Sequence, residues 1–445
     1  MNRLLLFSYA LLLSFVSVGQ SFEELIKERV TSEETPGIVV GIFENGRTNY
    51  YAFGVSDVTT QKPVTTKTLF EIGSITKTFT TSALSLLSIQ NQLRLVDPVQ
   101  RFLPTTVSMP QKNGKQITLL HLATARSGLP RMPGNFAPLN AQNPYIDYTE
   151  KELTAFLNNS ELAREPGIQY EYSNLGMGLL GYALSRQQNM PYGKMIKQMI
   201  WSPLEMKQTF ISGDTKSDWL AAGHMDQNKV TAWTWDDKSV LVGAGGIVST
   251  IEDMMKYLIA QLSDEKTELH QAFRLAHQER TDAGKLTVQM GLGWHIMEHK
   301  YVFHNGGTGG FRSFAGFDPE QKRAIMIMVN STTAADDLGL HWLNPIYPLK
   351  TIKKTVAVDP STLPKYAGVY EITPQFKITI TAESESLMLQ ATGQPKLKLY
   401  AESPDKFFLK VVDARVEFAS DKDGKIEKLT LYQSGAALEG KKIPD

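Results

Sequence analysis

The sequence contains no cysteine among its 445 residues. This absence excludes disulfide bonds, thiolate metal sites, a cysteine nucleophile and a lipidated N-terminal cysteine. Net charge is lacking as well, because 46 Lys and Arg residues balance 46 Asp and Glu residues. No basic block indicates nucleic acid or an anionic membrane as a partner. What remains is a neutral chain, 42% hydrophobic, whose length predicts a large core and two or more domains.

The N-terminal apolar run, Leu4 to Val18, has 15 residues and three serines. It is shorter than the ~20 residues of a membrane-spanning helix. Arg3 precedes it, and Ser17-Val18-Gly19 supplies the small residues of a cleavage site. This pattern predicts a signal peptide over residues 1–19, with Gln20 as the mature terminus. We expect export to a Gram-negative periplasm, with secretion as the alternative, and no stable membrane insertion after processing.

A serine and a lysine three residues apart, Ser74 and Lys77, begin an apolar run without glycine that reaches Gln90. On a helix this spacing places both side chains on one face. A hydroxyl beside an amine, near the positive end of a helix dipole, is a candidate activated nucleophile. The same spacing recurs at two other places, Ser263/Lys266 and Ser403/Lys406. The pair alone therefore has little specificity, and an ordinary serine at a helix start is the alternative.

Two motifs downstream distinguish the first copy: Tyr172-Ser173-Asn174 and His304-Asn305-Gly306. Acyl transfer needs a nucleophile, a proton acceptor and donors directed at the oxyanion. Ser74 is the candidate nucleophile. Lys77 is a candidate base if it is desolvated, or a cation that lowers the pKa of a neighbour. Tyr172 is the second candidate base, provided that cationic neighbours lower its pKa, and a packed structural tyrosine is the alternative.

Residues of the two downstream motifs are also predicted to contact the substrate. Asn174 is expected to point the same way as Tyr172 in an extended segment and to hold a substrate amide. Gly306 and Gly307 follow a strand end and let a substrate lie against the backbone. The Gly307 amide, with the Ser74 amide, could form an oxyanion hole. His304, at the start of this motif, is a candidate substrate-binding residue, and a structural role is the alternative.

No cofactor or metal is expected. The spacing His295-x-x-x-His299 would suit zinc if the segment were helical. The residues Gly291–Trp294 and the alternating pattern instead predict a strand over Met290–Glu298, in which the two imidazoles lie far apart.

The order of predicted elements indicates an α+β fold. A helix and a hairpin with the turn Asn45-Gly46 open the chain, helices and loops dominate 93–262, and strands return over 290–329. One antiparallel sheet built from both ends, with a helical region inserted, fits this order. A proline-rich stretch, 131–145, is predicted to be a long loop over the site.

The C-terminal part changes character after a boundary rich in Lys, Thr and Pro. We predict a catalytic domain over 20–347, a linker over 348–364 and a second domain over 365–445. Six short strands between Phe376 and Tyr432 indicate a small up-and-down β barrel or sandwich. No catalytic constellation is found in it.

With these residues in view, the chain resembles the serine β-lactamase and penicillin-binding-protein superfamily, most closely class C β-lactamases and their His-x-Gly relatives. The likeness spans about 22–344 and rests on three segments: Leu69–Phe79, Thr118–Pro130 and Pro166–Gly181. It implies an antiparallel sheet flanked by helices, an all-helical subdomain and a site between them. It also implies that Ser74 is acylated and that Lys77 and Tyr172 share proton transfer.

One departure from class C concerns substrate binding. Those enzymes have Lys-Thr-Gly where this chain has His304-Asn305-Gly306, and the Lys and Thr help to bind the carboxylate of β-lactams and D-Ala-D-Ala peptides. His304 is expected to be a weaker, pH-dependent cation. Asn305 can still donate a hydrogen bond, and Arg312 could add charge if it faces the cleft.

Three hypotheses follow. The first is a periplasmic serine hydrolase that opens β-lactams through an acyl-Ser74 intermediate. The second keeps the chemistry but takes a D-amino-acid peptide, as a D-Ala-D-Ala carboxypeptidase does, or an ester. The third is a non-catalytic cell-wall or ligand-binding protein, for which degraded motifs are expected, whereas all three motifs here are chemically competent. The expected partner is a small-molecule or peptide substrate, and no nucleic acid.

Overall fold

The computed structural model describes residues 20–214, 219–225, 228–236, 238–285, 287–353, 355–383, 385–394, 396–410, 412–433 and 435–444. The predicted signal peptide, residues 1–19, lies outside the described residues. The α-helices are α1 (Phe22–Thr31), α2 (Thr76–Ile89), α3 (Leu119–Ala123), α4 (Glu150–Asn159), α5 (Asn174–Gln187), α6 (Tyr192–Ile196), α7 (Ile251–Gln261), α8 (Glu268–Ala276) and α9 (Asp336–Leu343). Within the described residues, no helix combines the length and apolar character needed to cross a membrane.

The strands before residue 330 form one large sheet and three small ones. They are β1 (Gly37–Glu44), β2 (Arg47–Asp57), β3 (Lys62–Pro63), β4 (Phe70–Glu71), β5 (Gln111–Lys112), β6 (Lys115–Gln116), β7 (Phe210–Ile211), β8 (Gly223–Met225), β9 (Asn228–Val230), β10 (Ile247–Ser249), β11 (Thr281–Lys285), β12 (Val288–Met290), β13 (His295–Met297), β14 (Tyr301–Gly307), β15 (Arg312–Asp318) and β16 (Arg323–Val329). The large sheet is antiparallel with the order β11-β12-β13-β14-β15-β16-β1-β2-β3. Strands from both ends of the segment therefore pair, as predicted.

Both faces of the large sheet are covered, which explains why β1 is apolar at nearly every position. Ile38, Val40 and Ile42 belong to a core shared with Ile26 of α1. Val39, on the opposite face, belongs to the main core, which includes residues of α2, α7 and α8. Alternate side chains of one strand thus pack against two helical layers, as the period of two in a strand requires.

The predicted hairpin is present, with Asn45 and Gly46 at φ +52° and +73° between β1 and β2. The prediction of a single strand over Met290–Glu298 is wrong. The Gly291 amide bonds to the Trp294 carbonyl at 2.9 Å, and Gly293 adopts φ +72°, so the chain turns between β12 and β13. Two glycines in four residues permit this reversal.

The C-terminal strands close into an eight-stranded barrel in sequence order. They are β17 (Gly368–Thr373), β18 (Phe376–Glu383), β19 (Ser386–Ala391), β20 (Leu397–Ala401), β21 (Lys406–Leu409), β22 (Ala414–Ser420), β23 (Ile426–Gln433) and β24 (Ala436–Ile443). The barrel has its own core of buried side chains, Tyr370, Ile380 and Phe418 among them. The predicted α+β fold with a C-terminal β barrel is confirmed, although the six predicted strands lacked β17 and β24, which pair to close the barrel.

Candidate active site

Ser74 lies in a single 3-10 turn, Gly73–Ile75, between β4 and α2. Gly73 adopts φ +51°, and a Cβ atom there would lie only 2.6 Å from the Gly307 amide nitrogen. Only a residue without a side chain allows this approach. The nucleophile turn and the end of β14 therefore meet backbone to backbone, which brings the Gly307 amide to the turn that carries Ser74.

Gly306 fixes the same contact from the other side. A Cβ atom at Gly306 would lie 2.1 Å from the Ile72 carbonyl oxygen. The Ser313 hydroxyl, on the neighbouring strand, donates a 2.9 Å hydrogen bond to that carbonyl. Gly306 is buried and Gly307 is exposed, so Gly306 serves the packing of the strand against the turn, whereas Gly307 faces the cleft.

Lys77, on the first turn of α2, is 2% exposed. Its Nζ lies 2.9 Å from Ser74 Oγ and donates a 2.7 Å hydrogen bond to the Ala244 carbonyl. Burial, together with the positive charge of Arg131, holds the pKa of Lys77 well below its usual range. A neutral amine is thereby favoured, and its lone pair is available to the Ser74 hydroxyl.

Tyr172 completes the group around the nucleophile. Its ring centroid lies 4.9 Å from Lys77 Nζ, and its hydroxyl is close enough to Ser74 to interact with it. Burial raises the pKa of Tyr172 above its usual value, although the interaction with Ser74 lowers it in part. The surroundings therefore favour the protonated phenol, which donates a proton more readily than it accepts one. A phenolate base would need cationic neighbours, but burial lowers the pKa of both Lys77 and His304 and so disfavours their charged forms.

Asn174 does not lie in an extended segment, as the sequence suggested, but is the first residue of α5. Ser173 is the N-cap, and its hydroxyl accepts a 2.8 Å hydrogen bond from the Gly176 amide. The Asn174 side chain lies between Met132, whose Sδ is 3.7 Å from Asn174 Nδ2, and Tyr145, whose hydroxyl it interacts with. Its Oδ1 is buried without a hydrogen-bond partner among the described residues, which leaves an acceptor for a substrate N–H.

His304 lies on β14 beside the Tyr172 ring, with 6.3 Å between ring centroids, and is 1% exposed. Its Nδ1 lies 2.6 Å from the Asn305 carbonyl. Burial holds the pKa of His304 well below its usual range, and the proximity of His295 and Lys77 lowers it further. These surroundings favour a neutral ring, in contrast to the pH-dependent cation expected from the sequence.

Asn305 points away from His304, as alternate residues of a strand do, and its Nδ2 donates a 2.7 Å hydrogen bond to Asp336. Arg312 pairs with Gly307 across the ladder, and its guanidinium donates to the Thr308 and Phe311 carbonyls. The position beside the Asn305 side chain thus holds a carboxylate. A substrate carboxylate there would meet like charge, with Arg312 as the compensating cation.

The two histidines considered for zinc are not brought together. His295 lies on β13 and contacts Tyr170 and His304, whereas His299 is exposed and bonds to Glu279. In the part of the chain that the structure describes, no group of three or more His, Cys, Asp or Glu side chains is arranged to hold a metal ion.

Two contributors to the site were not identified from the sequence, the Ala244 carbonyl and the Arg131 guanidinium, whose Cζ lies 5.1 Å from the Tyr172 ring centroid. Arg131 opens the predicted loop 131–145, which contributes Tyr145 as well. The Tyr145 ring stacks on the Trp235 ring, with 4.1 Å between ring centroids, and its centroid lies 5.1 Å from that of Trp233. The only available signal was the position of the loop directly after the family-like Ser127–Pro130 segment. Tyr145, Trp233 and Trp235 thus form an aromatic wall. The site can activate a serine hydroxyl and bind an acyl group beside this wall.

Comparison with known proteins agrees with this arrangement. Residues 22–344 match the family model described as Beta-lactamase, and residues 353–443 match a Domain of unknown function (DUF3471). A β-lactamase of Escherichia coli (strain K12) is 27% identical over 367 residues, covering 71% of this chain and 91% of that protein. The D-alanyl-D-alanine-carboxypeptidase/endopeptidase AmpH of the same strain is 29% identical, covering 58% of this chain and 70% of that protein. An octameric penicillin-binding protein homologue from Pyrococcus abyssi shares the fold, with a TM-score of 0.64 at 22% identity, covering 94% of this chain and 99% of that one.

Proposed function

The chain belongs to the beta-lactamase family, and on this premise we propose that it opens β-lactams through an acyl-Ser74 intermediate. Serine hydrolase activity in general follows from the family, and the β-lactam substrate is the finer part of the proposal. The observation that carries the chemistry is the 2.9 Å contact between Ser74 Oγ and the buried amine of Lys77.

In the acylation step, Ser74 Oγ attacks the lactam carbonyl carbon while the neutral amine of Lys77 accepts the hydroxyl proton. The hydrogen bond from Lys77 to Ala244 orients the amine so that its lone pair faces Ser74. The carbonyl oxygen becomes an oxyanion, which the amides of Ser74 and Gly307 stabilise. The C–N bond then breaks, Tyr172 gives its proton to the departing nitrogen, and the Lys77 ammonium restores the phenol.

In the deacylation step, water attacks the acyl carbon and Lys77 accepts a proton from it. Ser74 Oγ leaves as the second tetrahedral intermediate collapses, and the proton returns to it. Asn174 supports binding, because its unpaired Oδ1 can accept an N–H from the acyl side chain of the substrate. The names of the two Escherichia coli relatives, a β-lactamase and a D-alanyl-D-alanine-carboxypeptidase/endopeptidase, support substrates of these two classes.

A second candidate, hydrolysis of an ester or a D-amino-acid peptide, is favoured by the pair of Asn305 and Asp336. In class C enzymes the position of Asn305 helps to bind the substrate carboxylate, and the Asp336 carboxylate beside it weakens such binding through like charge. A substrate without a carboxylate at this point avoids the repulsion. We also propose export to the periplasm, on the sequence of residues 1–19, which cell fractionation would test.

The test is a substrate panel: a chromogenic cephalosporin, a D-Ala-D-Ala peptide and a neutral nitrophenyl ester, each with Ser74→Ala alongside. Turnover of the cephalosporin that Ser74→Ala abolishes is the expected result. Turnover of the ester or peptide alone would transfer the assignment to the second candidate. Asp336→Asn separates the two readings further, since it should improve kcat/KM for carboxylate-bearing substrates and leave the neutral ester unaffected. No turnover in the whole panel would contradict both candidate substrate classes.

A further inference from the structure

Glu71 is a buried acid, 4% exposed, that lies three residues before Ser74 and has no part in the steps above. It stands on β4, whose partner β10 pairs with it at Val248. Its Oε1 accepts a 2.8 Å hydrogen bond from the Trp233 amide, on the loop that carries the aromatic wall. Its Oε2 is buried and has no hydrogen-bond partner of ordinary geometry among the described residues.

The Thr308 hydroxyl is the second group that interacts with the Glu71 carboxyl. In the part of the chain that the structure describes, this hydroxyl is buried and has no other partner. A buried polar atom without a hydrogen bond is destabilising, so two such neighbours are expected to satisfy each other. A hydrogen bond between the two would join the Trp233 loop, which Glu71 already holds, to the turn that begins at Thr308.

That turn continues directly from the oxyanion-binding residue Gly307. The Thr308 amide bonds to the Phe311 carbonyl at 3.1 Å, and Arg312 donates a 2.8 Å hydrogen bond to the Thr308 carbonyl. These two hydrogen bonds are expected to couple Thr308 to the residues on either side of it. A displacement of the Thr308 side chain would consequently displace the Gly307 amide.

We propose that Glu71 is a positioning residue for acylation. One carboxyl oxygen holds the Trp233 loop, the other holds the Thr308 turn, and the backbone of Glu71 leads within three residues to Ser74. The three segments that enclose the acyl group are thus tied at one side chain, which fixes the Gly307 amide relative to the Ser74 amide. The proposal rests on the acyl-Ser74 reaction proposed above.

The protonation state gives the proposal a pH dependence. Burial raises the pKa of Glu71 to about 7, although the nearby Thr308 hydroxyl and the hydrogen bond from the Trp233 amide lower it in part. The charged side chains on the segments packed around it are bound to other groups: Arg312 to the Thr308 and Phe311 carbonyls, Lys77 to Ser74 and Ala244, and Asp236 to the Lys238 and Ser239 amides. The neutral acid can donate to Thr308 and accept from Trp233, whereas a buried carboxylate without a cation is destabilised. Acylation is therefore expected to weaken as the pH rises through about 7.

Glu71→Gln is the decisive variant, because the amide keeps the shape, accepts from Trp233, donates to Thr308 and cannot ionise. The reaction to measure is labelling of Ser74 by an alkyl fluorophosphonate, in which Ser74 Oγ bonds to phosphorus, Lys77 accepts the hydroxyl proton and fluoride leaves. Its rate is followed by intact mass between about pH 5.5 and 8.5. The wild type should show a falling limb near pH 7 that Glu71→Gln lacks, with rates within about threefold of each other at about pH 6. Glu71→Ala should react at least about tenfold more slowly throughout, because positioning is lost.

Asp253→Asn is the matched control, since Asp253 is also a buried carboxyl but bonds to the Gln208 amide and the Thr209 hydroxyl. It should keep the wild-type pH profile whatever it does to stability. A falling limb that persists in Glu71→Gln would overturn the proposal. If Glu71→Ala does not fold, the pH profile of Glu71→Gln decides alone. The probe reports on Ser74 irrespective of the natural substrate, so failure of the substrate panel rejects the substrate assignment only. A wild-type Ser74 that does not react with the probe would overturn both proposals.

Discussion

Lys77 Nζ lies 2.9 Å from Ser74 Oγ, and its other hydrogen bond is made to a carbonyl oxygen, that of Ala244, at 2.7 Å. A carbonyl orients the amine but carries no negative charge. A carboxylate in its place would stabilise the ammonium form. Since the amine is also buried, the charged form is disfavoured and the neutral base is favoured. This relationship separates Ser74 from a serine that merely begins a helix.

Replacement of Lys77 by methionine removes the proton acceptor and keeps the apolar stem. We expect Lys77→Met to lower kcat/KM by at least about 100-fold, the usual contribution of a general base. Lys77→Arg should not restore activity, because a guanidinium stays protonated. Steady-state kinetics check this, with Lys266→Met, from the second Ser-x-x-Lys copy, as the control that should remain active. Activity of Lys77→Met within tenfold of the wild type would contradict the assignment.

Replacement of Tyr172 by phenylalanine removes only the hydroxyl that interacts with Ser74. We expect kcat to fall by about 100-fold, because the leaving nitrogen loses its proton donor. Tyr170→Phe is the matched control, since the Tyr170 hydroxyl contacts His295 instead. Equal losses in the two variants would indicate that Tyr172 acts through packing and not through its hydroxyl.

Substrate binding should not follow the ionisation of a histidine. Because His304 is buried with its pKa depressed, the ring stays neutral at ordinary pH. The ratio of KM values for an acidic and a neutral substrate should therefore be flat between about pH 5 and 8. Weaker binding of the acidic substrate as the pH rises through about 6.5 would instead support a cationic His304.

Buried histidines also make the fold sensitive to mild acid. The pKa of His295 is lowered to about 4 and that of His277 to about 3, both by burial, and His304 is depressed as well. A folded-state pKa below the unfolded value means that unfolding takes up protons below about pH 6.5, so stability is complete above this pH and declines below it. Each such group contributes a slope of about 1.4 kcal/mol per pH unit in the free energy of unfolding.

Urea unfolding between about pH 5 and 6.5 measures this slope, at a pH above the range in which most carboxylates titrate. His295→Gln should reduce this slope by the contribution of one histidine, up to about 1.4 kcal/mol per pH unit. His299→Gln, at an exposed position, is the control that should leave it unchanged. A slope that His295→Gln does not alter would contradict the neutral burial of this side chain.

Local relations in the site could be predicted from the sequence, and long-range ones could not. Ser74 and Lys77 lie within one helical turn, so their spacing suffices to bring them together. The protonation of Lys77, in contrast, depends on Ala244, which lies 167 residues away in the chain, and no spacing rule connects the two. The sequence predicted an extended segment at Asn174, and this prediction was wrong. Asn174 begins a helix instead.

The same limit explains the incomplete barrel. Strands with alternating apolar residues, such as Phe376–Glu383, could be identified from their pattern. The last strand, Ala436–Ile443, combines Glu, Gly and Lys with mostly exposed side chains, so it shows no such alternation. It is a strand because Gly368–Thr373 and Ile426–Gln433 pair with its backbone, and this pairing is visible only in the closed barrel.

The most direct test of the central claim is the intact mass of the protein after reaction with a chromogenic cephalosporin, quenched in acid within the first turnovers. We predict a mass increase equal to the acyl group, located on the peptide that contains Ser74 and absent from Ser74→Ala. Ser263→Ala, which changes the serine of a second Ser-x-x-Lys copy, should acquire the adduct as the wild type does. Hydrolysis that continues in Ser74→Ala, or an adduct on any other residue, would contradict the account.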